Sequence, residues 1–230
     1  MSADSRTRVL LVTAMPEELG PLAGRALPEG VHAATTGEGP RRAARRAAEL
    51  CDLHRPLVLV GAGIAGALSA DLAFGEILVA RRVCDADGDA PSPDAALADR
   101  AVAIPGARGA SLFSSDRILV AARERSALAA RMRDDPAAVD MESAAWARAA
   151  NARGIPYVVL RAVSETAEVD LPDYLSRCFD ADGGIRRGRV LLHALARPGS
   201  LSGLLAMRRR MRESGERLAA FVHHFLVKVL

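Results

Sequence analysis

Residues 8–19 read RVLLVTAMPEEL. The run RVLLVTAM (8–15) is apolar and rich in Val and Leu. Pro16 then presets the backbone for a first helical turn, where Glu17 and Glu18 suit the positive end of the helix dipole. This is a strand feeding a helix, and the pattern recurs. VHAATTG (31–37) leads into an Arg/Ala-rich helix from Pro40 to about His54, and PLVLVGAG (56–63) leads into IAGALSADLA (64–73). EILVARRV (76–83) and GASLFSSD (109–116) read as strands, 119–133 as a helix, and AAVDM (137–141) as a strand before the helix SAAWARAANARG, which stops at Gly154. IPYVVLRAVSE (155–165) is the last clear strand. Buried strands alternating with helices predict a three-layer α/β/α domain. The polar stretches 85–100 and 166–188 read as loops. Two further helices are expected on either side of Pro198-Gly199, the second long, amphipathic and basic.

The 230 residues are 50% hydrophobic, enough for one large domain spanning 1–230. Three scattered cysteines, Cys51, Cys84 and Cys178, show no ligand spacing and read as reduced core residues. No signal-like start and no run of roughly 20 apolar residues is present, so a cytoplasmic protein is expected. The net charge of +3 hides an asymmetry, because residues 186–230 carry ten Lys and Arg against Glu213 and Glu216, which leaves the rest of the chain at −5. A basic helical C-terminal region (186–230) can face anionic lipid, nucleic acid or water. With only 3% aromatic residues, a base-stacking nucleic-acid surface is poorly supported and no nucleic-acid partner is expected.

Three acids, Glu18, Glu142 and Glu165, fall at or just after strand ends, where open α/β sheets gather their ligands. The bland alternative is a first-turn helix acid for Glu18 and a solvated loop acid for Glu165. Glu142 stands in AVDMESAAWA (138–147), whose small apolar texture makes the two carboxylates Asp140 and Glu142 conspicuous. GAGIAGAL (61–68), with Gly61, Gly63 and Gly66, offers close backbone approach and helix N-terminal amides to a ligand, although it lacks GxGxxG and GK[ST]. TTGEGPRR (35–42) is a second glycine-rich turn, where Arg41 and Arg42 read either as phosphate contacts or as solvated helix residues. The five histidines show no metal-ligand pattern, and no GxSxG points to a serine nucleophile. No metal and no cofactor is expected.

Together, TAMPEEL (13–19), GAGIAGAL, and AVDMESAAWA followed by PYVVLRAVSE resemble the nucleoside phosphorylase and nucleosidase family that includes methylthioadenosine/S-adenosylhomocysteine nucleosidase. From DLPDYL (170–175) onward the texture is similar to a narrower branch, the hopanoid-associated phosphorylases. The resemblance implies a phosphorylase/hydrolase-like fold with a mixed central sheet, a homo-oligomer, and a small-molecule nucleoside substrate. It implies that Glu142 accepts hydrogen bonds from ribose hydroxyls while Met141 packs on the sugar, and that Glu18 orients an attacking water. It places Glu165 where the family usually has an Asp that protonates the purine, and backbone around Ile118 and Leu119 at the purine edge.

Such residues suit N-glycosidic cleavage, which develops positive charge on the ribose and negative charge on the base. Glu165 departs from the family by one methylene, about an ångström or more of carboxyl displacement. The family's Arg and Ser arrangement for phosphate is missing, so water is favoured over phosphate as nucleophile. The connection 84–108 is short and poor in aromatic residues, which predicts an open 5′ side suited to a bulky apolar substituent such as that of adenosylhopane. Two alternatives stand beside this reading: methylthioadenosine/S-adenosylhomocysteine nucleosidase or purine nucleoside phosphorylase activity, and a non-catalytic nucleoside- or lipid-binding relative. In the last helix, Leu204, Leu205, Met207, Met211, Leu218, Phe221 and Phe225 against Arg208, Arg209, Arg210 and Arg212 suit either a membrane surface or packing on the domain with a solvated arginine face.

Overall fold

The computed structural model describes residues 8–23, 25–132, 136–178, 180, 186 and 201–230. β1 (Val9–Thr13) is buried throughout and runs into α1 (Pro16–Ala23); β2 (Val31–Thr35) is followed by α2 (Pro40–His54). Then come β3 (Val58–Ala67), β4 (Ile77–Asp85), β5 (Gly88–Asp89), α3 (Ala95–Val102), β6 (Ala107–Ser114), α4 (Ala122–Met132), β7 (Ala137–Asp140), α5 (Ser143–Asn151), β8 (Tyr157–Glu165) and a 3-10 turn at Asp173–Arg177. A final helix, α6 (Leu201–Lys228), ends the described chain. The helix expected before Pro198 lies outside the described residues.

The eight strands form one mixed sheet in the order β2-β1-β3-β7-β6-β4-β5, with β8 pairing both β3 and β4. β1, β2 and β8 run parallel to their neighbours around β3, whereas β3–β7 and β4–β8 are antiparallel. On one edge β3 pairs β1 as far as Gly61 and meets β7 only from Gly66. Between those points its edge carries no strand, and the ends of β1 and β7 diverge there.

Helices cover both faces, as the alternation predicts. Ala43, Ala47 and Leu50 of α2 and the alanines and Trp146 of α5 fill one side. Leu97 and Ala101 of α3 with Leu218, Phe221, Val222 and Phe225 of α6 fill the other. Small residues dominate the first layer, so α2 and α5 lie close to the sheet.

Three expectations need correction. GAGIAGAL does not open a helix, because Gly61 to Ala67 continue β3. Burial on both sides and pairing with β8 along its length outweigh the weak strand propensity of glycine. The stretch 85–100 is not all loop. It holds β5 and the start of α3, whose N-cap Asp94 accepts a hydrogen bond from the Leu97 amide at 2.9 Å. Leu218, Phe221 and Phe225 are buried in the core, so they are not available to a membrane surface, while Leu205 is exposed.

Gly61 exists for packing. A Cβ there would lie 2.5 Å from Trp146 Cε3. Gly61→Ala should therefore lower stability by about 1–3 kcal/mol through overpacking, read as a fall in the urea midpoint at an unchanged slope; an unchanged midpoint would mean that Trp146 has room to move.

Candidate active site

The unpaired stretch of β3 is where the acids gather. Glu18 reaches back from the first turn of α1, and its Oε2 accepts the amides of Ala14 and Met15, both at 2.9 Å. The Met15 bond is the reach-back half of a capping box. Its Oε1 accepts the Ile64 amide at 3.1 Å, on the part of β3 that neither β1 nor β7 pairs. Glu18 is thus the first-turn helix acid that the sequence allows, but buried, 8% accessible, and turned back onto the strand ends.

Arg161 lies at the centre of the cluster, fully buried in the middle of β8. Its Nη2 is 2.8 Å from Asp140 Oδ2, 3.6 Å from Glu142 Oε2 and 3.0 Å from Ser143 Oγ. Its guanidinium stacks on Trp146 at 4.7 Å from the ring centroid, while the indole N–H donates to Thr36 Oγ1 at 3.1 Å. Asp140 is saturated. It accepts from Ser114 Oγ at 2.7 Å, from Ser143 Oγ, and from the amides of Glu142 and Ser143 at 3.2 Å each. These bonds tie β6 and β7 to the start of α5, and Asp140 also borders the cavity at this site.

Glu142 accepts one backbone bond, from Gly39 at 2.9 Å. The glycine-rich turn 35–42 therefore serves this carboxylate, and its Arg42 pairs with Asp180 at 2.6 Å. Burial, offset in part by Arg161 and reinforced by Asp140 and Glu18, pushes the Glu142 carboxyl up to about 8. Beyond burial, one guanidinium faces Asp140, Glu142 and Glu18, and three buried carboxylates exceed what one cation neutralises. Glu18 is also raised by burial, against Arg161 and its three amide donors.

Glu165 ends β8 and is buried rather than solvated. Arg210 of α6 lies 3.1 Å from its Oε2. Burial raises its carboxyl, while Arg210 and Arg125 oppose the rise. Arg125, itself buried, donates to the carbonyls of Leu119 at 2.8 Å and of Ala167 and Val169, which joins the segments on either side of the site.

Glu18, Met141, Glu142, Glu165, Ile118, Leu119 and Gly66 all line one cavity of about 170 Å³. Gly61 and Gly63, expected beside them, do not line it. Gly61 makes room for Trp146, and a Cβ on Gly63 would lie 2.1 Å from Arg161 Nη1 and 2.8 Å from Glu18 Oε1. Within the segment of Ile118 and Leu119, the Leu119 carbonyl accepts a bond from Arg125 at 2.8 Å. A second, larger groove of about 820 Å³ opens between α1 and α6 and shares Met15, Glu18, Ile64 and Met211 with the cavity.

The sequence reading missed Arg161, Arg125 and Arg210. Arg161 had a signal: a charged residue inside the apolar run YVVLRAVSE, in a strand expected to be buried on both faces, requires a buried partner. Arg125 and Arg210 had none, since arginines on helices are ordinarily solvated.

A mixed α/β sheet with carboxylates assembled at strand ends around a small cavity defines the class, that of small-ligand α/β proteins with an acidic site. The chain belongs to the phosphorylase superfamily, whose family model matches residues 27–182. That span holds Glu142 and Glu165 but not Glu18. In fold it is similar to the 5′-methylthioadenosine/S-adenosylhomocysteine nucleosidase of Helicobacter pylori (TM-score 0.74, 16% identity, 99% of this chain and 100% of that one). It is similar also to futalosine hydrolase of Helicobacter pylori strain 26695 (TM-score 0.73, 16% identity, 99% and 100%). The nucleosidase from S. pneumoniae, solved with the transition-state inhibitor MT-ImmA, shares the fold too (TM-score 0.71, 19% identity, 95% and 98%).

Two outcomes test the cluster. A carboxyl raised in the fold binds a proton that the unfolded chain has released, so the contribution of Glu142 to stability falls as pH rises from about 4.5 to about 8. Glu142→Gln should flatten the fall in melting temperature over that window and equal or exceed the parent by about 2–5 °C at pH 8; a parallel pH profile would refute the raised carboxyl. Arg161→Met leaves the carboxylates uncompensated and should cost about 3–5 kcal/mol in urea denaturation.

Proposed function

We propose that the protein hydrolyses the N-glycosidic bond of a 5′-substituted adenosine and releases adenine. The observation that carries this reading is the meeting of Glu18, Glu142 and Glu165, from three separate segments, on one cavity with Met141. Glu142 faces the ribose diol, with Met141 against the sugar. Its carboxyl, pushed up by burial, would ionise as two hydroxyls donate to it. Glu18, its carboxylate oriented by three backbone amides, holds a water and takes its proton as the oxygen bonds to C1′. The electron pair of the C1′–N9 bond leaves with the base, and Glu165 supplies the proton that neutralises it at N7. Burial favours the protonated form that this donation requires.

Water is the preferred nucleophile because the cavity is lined by carboxylates and its cations are engaged: Arg125 by carbonyls, Arg117 by Glu124 at 2.8 Å. A phosphate dianion would be repelled there. The groove between α1 and α6 carries Met15, Ile64, Met211 and Leu218 beside charged residues such as Glu17, Arg208 and Arg212, and its size and apolar wall support a bulky apolar 5′ substituent. Within this reading adenosylhopane, the substrate that the C-terminal resemblance points to, is preferred over methylthioadenosine.

Purified protein should release adenine from 5′-substituted adenosines without phosphate. Absence of adenine with and without phosphate, substrate still binding, would overturn the enzyme; a phosphate requirement would overturn hydrolysis. Glu18→Gln and Glu165→Gln should each lower kcat about 10²–10⁴-fold, whereas Glu142→Gln should act mainly on KM. Across 5′-alkylthioadenosines, kcat/KM should rise by up to about fourfold per methylene while the chain follows the groove; a flat series would remove the groove from the substrate site.

A further inference from the structure

We propose that Arg210, delivered by α6, is a positioning residue that holds the Glu165 carboxyl over the cavity, so that the last helix completes the active site. The inference rests on the reading of Glu165 as the purine-side acid. Its geometry is independent of that reading.

Glu165 is the last residue of β8, and its backbone still pairs with Gly66 of β3 while its side chain projects from the strand end. Its carboxyl is held by the Arg210 side chain, with Nε 3.4 Å from Oε1 and 3.1 Å from Oε2. One helical turn later on the same face, Ser214 Oγ donates to the Val163 carbonyl at 2.8 Å. The two contacts, four residues apart on α6 and two apart on β8, set the helix against the strand end in one register. Below them Leu218, Val222 and Phe225 continue the helix into the core. The reach of Arg210 is therefore set by a buried anchor.

The charged groups facing Glu165 are Arg210 on α6 and Arg125 on α4. They differ in what else they do. Arg125 is fully buried and its Nη atoms serve carbonyls. Arg210 is about a third exposed and meets the carboxylate directly. It also neighbours Met211, which lines both the cavity and the groove. Where the family uses the shorter Asp, this chain has one more rotatable bond to restrain, and Arg210 supplies the restraint. Being cationic, it also opposes the effect of burial and keeps the acid able to exchange its proton.

The test uses the full chain with 5′-methylthioadenosine and a longer 5′-alkylthioadenosine. Arg210→Met keeps the unbranched apolar stem of the side chain and removes the guanidinium and its charge. The expected result is a kcat at pH 7 lower by about tenfold or more, KM changed less than about threefold, and the alkaline limb of the kcat profile moved up by about one pH unit. The upward sign follows from losing a cation beside a carboxyl. Arg210→Lys should return the limb toward its original position, and in a Glu165→Gln background Arg210→Met should change little further. An unmoved limb, or an equal loss in both backgrounds at an unchanged melting temperature, would overturn the proposal. A parent enzyme that releases no adenine from either nucleoside would overturn the function itself instead.

Discussion

One guanidinium organises the interior. Arg161 sits in a strand with no access to water, and a lone charge there would cost several kcal/mol. Asp140 neutralises it at 2.8 Å, and Asp140 in turn holds Ser114, Ser143 and the first amides of α5. Through this pair β6, β7, β8 and α5 are fixed to a common point. Glu142 and Glu18 then face the same cation as surplus charge, and burial first, with the neighbouring carboxylates adding to it, pushes the Glu142 carboxyl up to about 8. One arginine thus serves both a fold-stabilising pair with Asp140 and two further acids that line the cavity.

Room for that cluster comes from the sheet. Because β3 changes neighbour from β1 to β7, a few residues of its edge are unpaired, and the Ile64 amide there points to Glu18 instead of to a strand. Gly61 and Gly63 clear space for the Trp146 ring and the Arg161 guanidinium on which it stacks. The glycines act one layer behind the cavity. Their effect on a ligand is indirect, through the positions of Arg161 and Glu18.

The C-terminal helix has two halves with different duties. Leu218, Phe221, Val222 and Phe225 are core, whereas the arginine-rich first half forms a wall of the groove and contacts Glu165. The same amphipathic pattern that suited a membrane surface is satisfied by the sheet, which offers a larger apolar face than the helix could find alone.

Sequence alone determined the alternation of elements, and with it the layers, because burial periodicity is local information. β1, α2 and β8 were legible nearly to the residue from apolar runs, Pro16, Pro40 and Gly154. It also singled out Glu18, Glu142 and Glu165, since acids at strand ends stand out against their apolar surroundings, whereas Met141 came only with the family resemblance. Tertiary structure decided what pairwise contact requires. The extension of β3 through GAGIAGAL depends on pairing with β8, some hundred residues further along the chain. The capture of Arg161 by Asp140 and of Glu165 by Arg210 depends on side chains brought together from separate elements. A helical arginine looks the same in sequence whether it meets water or a buried carboxylate, and only the packing of α6 on β8 distinguishes them.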